Sequence, residues 1–117
     1  MLTLDEQELV TLIDDHLDSG CGELYHKQPL AQDWARVCKV VEEAGEVVDA
    51  LIGWTEQNPR KGEYSSPEEM YKELCDVALT AIFALQHFTK DAARTNSLLT
   101  QHLVFLKERL DKLNEAH

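Results

Sequence analysis

The sequence predicts an all-α protein of four main helices, packed as an antiparallel bundle and completed by dimerisation. Apolar residues recur at helical spacing through four segments. Two of those segments open on capping sequences. Only 5 glycines and 3 prolines interrupt the 117 residues, which favours long regular elements, and no segment alternates apolar and polar residues as a half-buried strand does. The length suits one domain, residues 1–117.

Thr3-Leu4-Asp5-Glu6 reads as a capping box, with Thr3 as N-cap and Glu6 at the third helical position. Leu9, Val10, Ile13 and Leu17 then mark one helical face, and Ser19-Gly20 ends the helix. A loop follows through Gln28. Pro29 suits the first turn of a second, long helix. Its apolar positions include Val37, Val40, Val41, Val47, Val48 and Leu51, and it ends at Gly53 or just beyond. Asn58-Pro59-Arg60-Lys61-Gly62 is a turn-rich connector and the basic spot nearest the acidic clusters. Ser66-Pro67-Glu68-Glu69 starts a third helix, with an N-cap serine, proline at the first position and glutamate at the third. Met70, Leu74, Val77, Ala78, Ile82 and Leu85 point inward from it, and it fades near Thr89-Lys90. A fourth helix carries Leu99, Leu103, Leu106, Leu110 and Leu113, whose alternating spacing of four and three is a bundle or coiled-coil seam. That seam, with the apolar breadth of the second and third helices, favours assembly into a homodimer at least.

Twenty-two acids against 11 bases give a net charge of −11. This balance disfavours DNA or RNA, whose backbones want clustered Lys and Arg. It leaves open a phosphorylated small molecule, provided that metal ions supply the positive charge. Cys21, Cys38 and Cys75 are odd in number and none is spaced as CxxC, so neither a disulfide framework nor a zinc site is expected. Cys38 and Cys75 fall in apolar patterns and are expected to pack as small hydrophobes. Reduced thiols, an acidic N-terminus without a basic signal region, and no apolar run long enough to span a bilayer predict a soluble cytoplasmic protein.

Two acidic clusters carry the chemistry: Glu42-Glu43-x-x-Glu46 and Glu73-x-x-Asp76. Carboxylates three or four residues apart share a helical face and repel one another. Their neighbours, Val40, Val41, Val47 and Val48 on one helix and Leu74, Val77 and Ile82 on the other, place them at the border of a core. Oxygen-only donors at that density suit a hard divalent cation, Mg²⁺ first and Mn²⁺ as a substitute. The plain alternative is a solvated face, with Lys39 pairing Glu43 and Lys72 pairing Asp76 at i,i+4. Gly45 costs about 1 kcal/mol relative to Ala mid-helix; either something approaches the backbone there or a small residue is merely tolerated. A di-iron site wants two Glu-x-x-His motifs, and Glu23-x-x-His26 is the single one, in the loop. Trp34 and Trp54 flank the first cluster; each is a flat surface for a base or a core anchor.

Glu42-Glu43-Ala44-Gly45-Glu46, followed by Glu73-Leu74-Cys75-Asp76, resembles the EExxE…ExxD signature of the MazG-like nucleotide pyrophosphohydrolases, an all-α family. Lys39, three before Glu42, also resembles the family's pattern, with Val40 where Leu is common. The resemblance covers about residues 30–88. It implies hydrolysis of a nucleoside triphosphate, NTP or dNTP, between the α- and β-phosphates, in nucleotide-pool house-cleaning. It implies that Glu43, Glu46, Glu73 and Asp76 bind Mg²⁺, with Glu42 in a supporting or proton-accepting role. Water made more acidic by the metal would attack the α-phosphorus. Lys39, Arg60 and Lys61 are the candidate phosphate-side cations, and Trp54 and Trp34 the candidate base-side surfaces. Lys107 and Arg109 are candidates to reach a neighbouring subunit's site. The resemblance also implies a dimer or a dimer of dimers. Two alternatives stand beside it: a non-catalytic acidic helical module that binds a protein partner, and a phosphoribosyl-ATP pyrophosphohydrolase.

Overall fold

The capping sequences set the helix starts. In the computed structural model, which describes residues 1–20, 29–55 and 66–116, Thr3 Oγ1 accepts a hydrogen bond from the Glu6 amide (3.1 Å) and Glu6 Oε1 accepts one from the Thr3 amide (2.9 Å). This reciprocal pair satisfies two otherwise orphaned donors and opens α1 (Leu4–Gly20). Helix α2 runs Pro29–Trp54. Ser66, extended in backbone, caps α3 (Pro67–Thr89) by accepting from the Glu69 amide at 3.2 Å. The start of α4 (Ala92–Glu115), which the leucine seam alone does not locate, is Asp91; its Oδ1 accepts from the amides of Ala93 and Arg94. Among the described residues there is no strand, and no helix is long and apolar enough to cross a membrane.

α2 and α3 form an antiparallel hairpin that is the body of the protein. Asp33 meets His87 near one end, and Glu43 meets Glu73 and Asp76 further along, so rising numbers on α2 face falling numbers on α3. α1 lies across one side of this hairpin, and α4 packs beside α1 and the end of α3 through its first turns. Asn96 Oδ1 accepts from the Leu2 amide at 2.7 Å, tying the N-terminus to α4. The reversal between α3 and α4 takes two residues. Lys90 adopts a left-handed backbone (φ 54°), where glycine is usual, and its amide donates to the Gln86 carbonyl. Glycine there would relieve about 1–2 kcal/mol of backbone strain but would lose the Lys90 ammonium, which bonds Asp14 and Asp18 of α1.

The apolar core is smaller than the helical periodicity predicts. Among the described residues the fully buried apolar side chains are Val10, Ala50 and Ala84. Val40, Val47, Val77, Ile82 and Leu85 are half-buried, as expected of inward positions. Val37, Val41, Val48, Leu51 and Leu74 are exposed, and so are Ala78, Cys38 and Cys75. The cysteines therefore do not pack as core residues within the protomer. The seam on α4 is exposed from Leu103 onward. The radius of gyration, 17.8 Å, exceeds the roughly 13 Å of a compact chain of this length. The four helices bury one side of each apolar stripe and leave the other open.

Candidate functional site

Three of the predicted carboxylates converge. One oxygen each from Glu43, Glu73 and Asp76 lies within 4.8 Å of the other two, and all three side chains are half-buried. The hairpin register explains it. Glu73 and Asp76 differ by about 60° around α3 at 100° per residue, so they straddle the direction toward α2, and Glu43 fills the space between. Glu46 lies a similar angle round α2 from Glu43 and is exposed, outside this group, as is Glu42. Of the four carboxylates that the resemblance assigns to Mg²⁺, three thus converge, and Glu46 stays exposed beside them.

Lys39 is the cation on this group among the described residues. Its Nζ stands 3.3 Å from Glu43 Oε1 and 3.4 Å from Glu42 Oε1, and hydrogen bonds to Glu43 and then Glu42 hold its pKa above the ordinary lysine value. The expected Lys72–Asp76 pair does not form among the described residues, so the solvated-face alternative is met on α2 but not on α3. Lys39 pairs with two of the five carboxylates, which leaves this part of the hairpin strongly negative. Oxygens of one octahedral Mg²⁺ sit about 2.1 Å from the ion, so ligands within 4.8 Å of one another fit a shared cation after a small side-chain adjustment. The donor set, carboxylate oxygen alone, suits Mg²⁺ or Mn²⁺ and not zinc.

A second acidic group answers the same description and has the opposite character. Asp14, Asp18 and His87 also bring ligand atoms within 4.8 Å. Here cations already occupy the space. Arg36 Nη2 lies 2.8 Å from Asp14 Oδ1 and 3.0 Å from Asp18 Oδ1; Lys90 Nζ lies 3.1 Å from Asp14 Oδ2 and 2.8 Å from Asp18 Oδ2. His87 Nε2 pairs with Asp33 Oδ1 at 2.6 Å. Arg36 and Lys90 balance Asp14 and Asp18, and with Asp33 and His87 they form a structural network that ties α1 to α2 and α3, its carboxylates already paired. Beside it, Thr95 Oγ1 donates to Gln86 Oε1 at 2.8 Å, both side chains being fully buried.

Burial acts to raise the Asp18 pKa, but hydrogen bonds from Lys90 and Arg36 outweigh it and hold the carboxyl below its ordinary value. Burial acts to lower the Lys90 pKa, and its bonds to Asp18 and Asp14 outweigh that and raise it. A depressed acid stabilises the fold above its unfolded pKa and loses that contribution as pH falls through the folded one. A raised lysine stabilises below its unfolded pKa and loses its contribution as pH rises through the folded one. Thermal unfolding followed by circular dichroism should therefore show a plateau at neutral pH, with the Asp18 contribution lost below the normal aspartate range and the Lys90 contribution lost above the normal lysine range. Removing the charge at Asp18 (Asp18→Asn) should flatten the acid limb.

The aromatic candidates separate. Trp34 is 70% exposed and lines a groove with Asp33, Val37 and Phe88. Those neighbours belong to the open side of the hairpin, so Trp34 is neither a core anchor nor brought to the carboxylates. Trp54 ends α2 and is also exposed. Arg60 and Lys61 lie outside the described residues. Lys107 and Arg109 are on the exposed half of α4, where Lys107 pairs with Asp111 of its own helix at 2.6 Å.

Sequence reasoning missed a cavity of about 330 Å³ between α1 and the hairpin. Ile13 and Leu17 of α1 and Phe83 and Ala84 of α3 give it apolar walls. Lys39 and Thr80 line it too, on the side of the triad: Lys39 reaches Glu43, and Thr80 is one helical turn beyond Asp76. Arg36 completes the lining. Its side chain is 9% exposed, Nη2 serves the two aspartates, and Nε and Nη1 are buried with no hydrogen-bond partner. A buried donor left unpaired costs about 1–3 kcal/mol. The signal was an arginine inside an apolar helical stretch, Trp34-Ala35-Arg36-Val37, which spacing alone does not distinguish from a surface charge. No family model, no curated protein and no solved structure matches this chain.

Proposed function

We propose that this protein is a Mg²⁺-dependent nucleotide pyrophosphohydrolase that cleaves a nucleoside triphosphate to the monophosphate and pyrophosphate. The observation that carries this reading is the convergence of Glu43, Glu73 and Asp76 within 4.8 Å, half-buried, with the Lys39 ammonium on Glu43. The carboxylates have no such balance of cations as Asp14 and Asp18 have, and a bare acidic pocket would repel a triphosphate. Glu43, Glu73 and Asp76 hold the metal, with Glu46 on the rim able to join them. Bound Mg²⁺ supplies positive charge to phosphate oxygens and lowers the pKa of water in the site. Water oxygen bonds to the α-phosphorus, the bond from phosphorus to the α–β bridging oxygen breaks, and pyrophosphate leaves with that electron pair. Glu42 or Glu46, each exposed and near the triad, takes the proton from water. Lys39 faces the phosphates across Glu43. A cytoplasmic pool of free nucleotides is the natural source of substrate.

Pyrophosphate release from a panel of NTPs and dNTPs, with and without Mg²⁺, tests this directly. Phosphoribosyl-ATP belongs in the panel, since it would report the histidine-biosynthetic variant of the same chemistry. Release that is abolished by EDTA and restored by Mg²⁺ or Mn²⁺ is the expected outcome. Folded protein that turns over none of these substrates would overturn the reading.

The active form is a homodimer. Trp34, Val37, Val41 and Val48 make an exposed stripe on α2, and Tyr71, Leu74 and Phe88 make one beside it on α3. Both stripes are uncharged in a chain of net charge −11. Gly45 lies in the α2 stripe, and a Cβ there would meet nothing within 4 Å among the described residues of one protomer. An aromatic side chain buries about 150–250 Å², so Trp34, Tyr71 and Phe88 supply a large share of the roughly 800 Å² a side that a stable interface needs. Two hairpins packed face to face would close a four-helix core. Light scattering at micromolar concentration should give a dimer, and Val41→Glu should give a helical monomer. The rival reading, an acidic helical module for a different protein, is favoured by the same open faces and predicts no Mg²⁺ or nucleotide effect on the melting temperature.

A further inference from the structure

The distal half of α4 is an open apolar stripe with a charge pattern of its own. Leu103, Leu106, Leu110 and Leu113 are between 46% and 56% exposed and span about 15 Å at 1.5 Å per residue. Among the described residues, the side-chain hydrogen bonds from α4 to other elements come from Thr95, Asn96 and Thr100, all before the stripe begins. A groove beside the stripe is walled by Leu103, Val104, Leu106 and Leu110, with Lys107 at its edge. At 100° per residue, Lys107 and Arg109 stand about 80° to either side of the stripe's centre, where a packed helix would meet them. Glu108, Asp111 and Glu115 stand about 120° or more away, on the back of the helix. In a chain of net charge −11, the rim of this stripe is basic.

That rim disfavours pairing of the stripe with its own copy. Packed antiparallel with the leucine layers in register, two copies would set each Lys107 against its equivalent and each Arg109 likewise. Packed parallel, they would set His102 near Lys107 and Arg109 near Asn114, with no opposite-charge pair. The open faces of α2 and α3 are taken in the homodimer proposed above. The outward face of α1 carries only Leu9 and Leu12, between Asp5 and His16, about half the apolar length. We propose that the distal half of α4 is a docking site for an amphipathic helix of another protein, with apolar residues at the same spacing of four and three and acidic residues on both flanks. The leucines anchor such a helix, and Lys107 and Arg109 select its sign. Lys107 pairs with Asp111 of its own helix at 2.6 Å, an exposed contact that is weak in water, so its ammonium is available to an incoming carboxylate. A stripe of this length on a helix about 10 Å across falls well short of the roughly 800 Å² a side of a standard interface, which makes the contact reversible. The inference rests on the homodimer for where α2 and α3 are buried, and not on nucleotide turnover.

The probes are two synthetic peptides about three heptads long, both with leucine at the four-three spacing, one with glutamate and the other with lysine on the flanks. Neither pairs readily with itself, because its flanking charges repel. Each is fluorescently labelled and titrated with the full chain in about 0.15 M salt, where charges beyond about 8 Å are screened and the rim decides. We expect the glutamate peptide to bind at least about tenfold more tightly, against the bias of an acidic chain toward the lysine peptide, with amide shifts centred on Leu103 to Leu113. Lys107→Glu/Arg109→Glu should reverse the preference, and Leu106→Glu/Leu110→Glu should abolish binding of both peptides. All four positions are exposed, so helical content should hold; if the leucine variant does not fold, the wild-type preference and its reversal decide. Equal binding, no binding, a preference for the lysine peptide or shifts elsewhere would overturn the proposal. So would a drop in mass by light scattering in Lys107→Glu/Arg109→Glu, since the stripe would then be a contact between copies. Val41→Glu, which acts on the α2 stripe, tests the homodimer separately: an unchanged mass there would sink that reading and leave the peptide preference standing.

Discussion

Asp76→Asn is expected to make the metal-free protein more stable, while abolishing both its stabilisation by Mg²⁺ and its release of pyrophosphate. Asp76 sits within 4.8 Å of Glu43 and Glu73 at their nearest oxygens. At that distance a like-charge pair costs about 1 kcal/mol even in water-like surroundings, and more where solvent is partly excluded. Asparagine removes both repulsions and keeps the shape. The same change removes a ligand oxygen's charge, so Mg²⁺ loses its preference for the folded state. A wild-type protein at a hundredfold excess of Mg²⁺ over its dissociation constant should gain about 2.7 kcal/mol, which thermal unfolding reads easily. The variant should gain close to nothing and start from a higher melting temperature. A variant less stable than wild type without metal would mean that the carboxylate is satisfied by a partner in the fold, and the triad would then be a structural group.

How far this site could be read beforehand depended on which features are local. Helix starts were legible because a cap is a four-residue pattern: Thr3 with Glu6 and Ser66 with Glu69 form the expected bonds. The meeting of Glu43 with Glu73 and Asp76 was legible because two long helices on a short connector must pair antiparallel, and the charges then repeat at one register. Glu46 was harder. At three residues it shares Glu43's face in outline, yet 60° decides whether a side chain points at the neighbouring helix or past it. The apolar stripes defeated periodicity for a different reason. Val41 and Val47 both satisfy a helical repeat, and only tertiary packing says that Val47 is covered and Val41 is not. A stripe covered by a second copy and one covered within the chain look alike in sequence.

The network around Arg36 had no local signature at all. Asp14, Asp18, Asp33, Arg36, His87 and Lys90 come from three helices and a turn, and each alone resembles a solvated charge. Their burial, Asp14 at 2% and Arg36 at 8% exposed, is a product of the fold. It also explains a left-handed lysine between α3 and α4: the Lys90 ammonium bonds two aspartates of α1, which offsets the backbone strain of its position. Among the described residues the largest fully buried side chains, Gln86, Thr95 and Asp14, are polar, and the network around Asp14 holds α1 over the cavity beside the triad. The apolar faces that would make a conventional core are left for association.

Asp14→Ala should therefore have the sign opposite to Asp76→Asn, although both delete one aspartate from an acidic cluster. Deleting one partner of a buried ion pair costs about 3–5 kcal/mol, because the remaining charge stays buried and uncompensated. Arg36 would lose its 2.8 Å carboxylate partner, keeping the residue-14 backbone carbonyl at 3.1 Å and Asp18 at 3.0 Å, and Lys90 would keep Asp18 alone, so two cations would share one carboxylate. That loss is a large fraction of the 5–15 kcal/mol by which a domain is stable. Urea unfolding at neutral pH and fixed protein concentration should show the midpoint falling steeply, with α1 the first element to lose protection in amide hydrogen exchange. The double variant Asp14→Ala/Arg36→Met should recover part of the loss, since a neutral side chain of similar length needs no counter-charge there. If Asp14→Ala is instead neutral or stabilising, the two clusters are alike, the contrast between a compensated network and an uncompensated triad disappears, and with it the physical reason for placing a metal at Glu43, Glu73 and Asp76 and not at Asp14, Asp18 and His87.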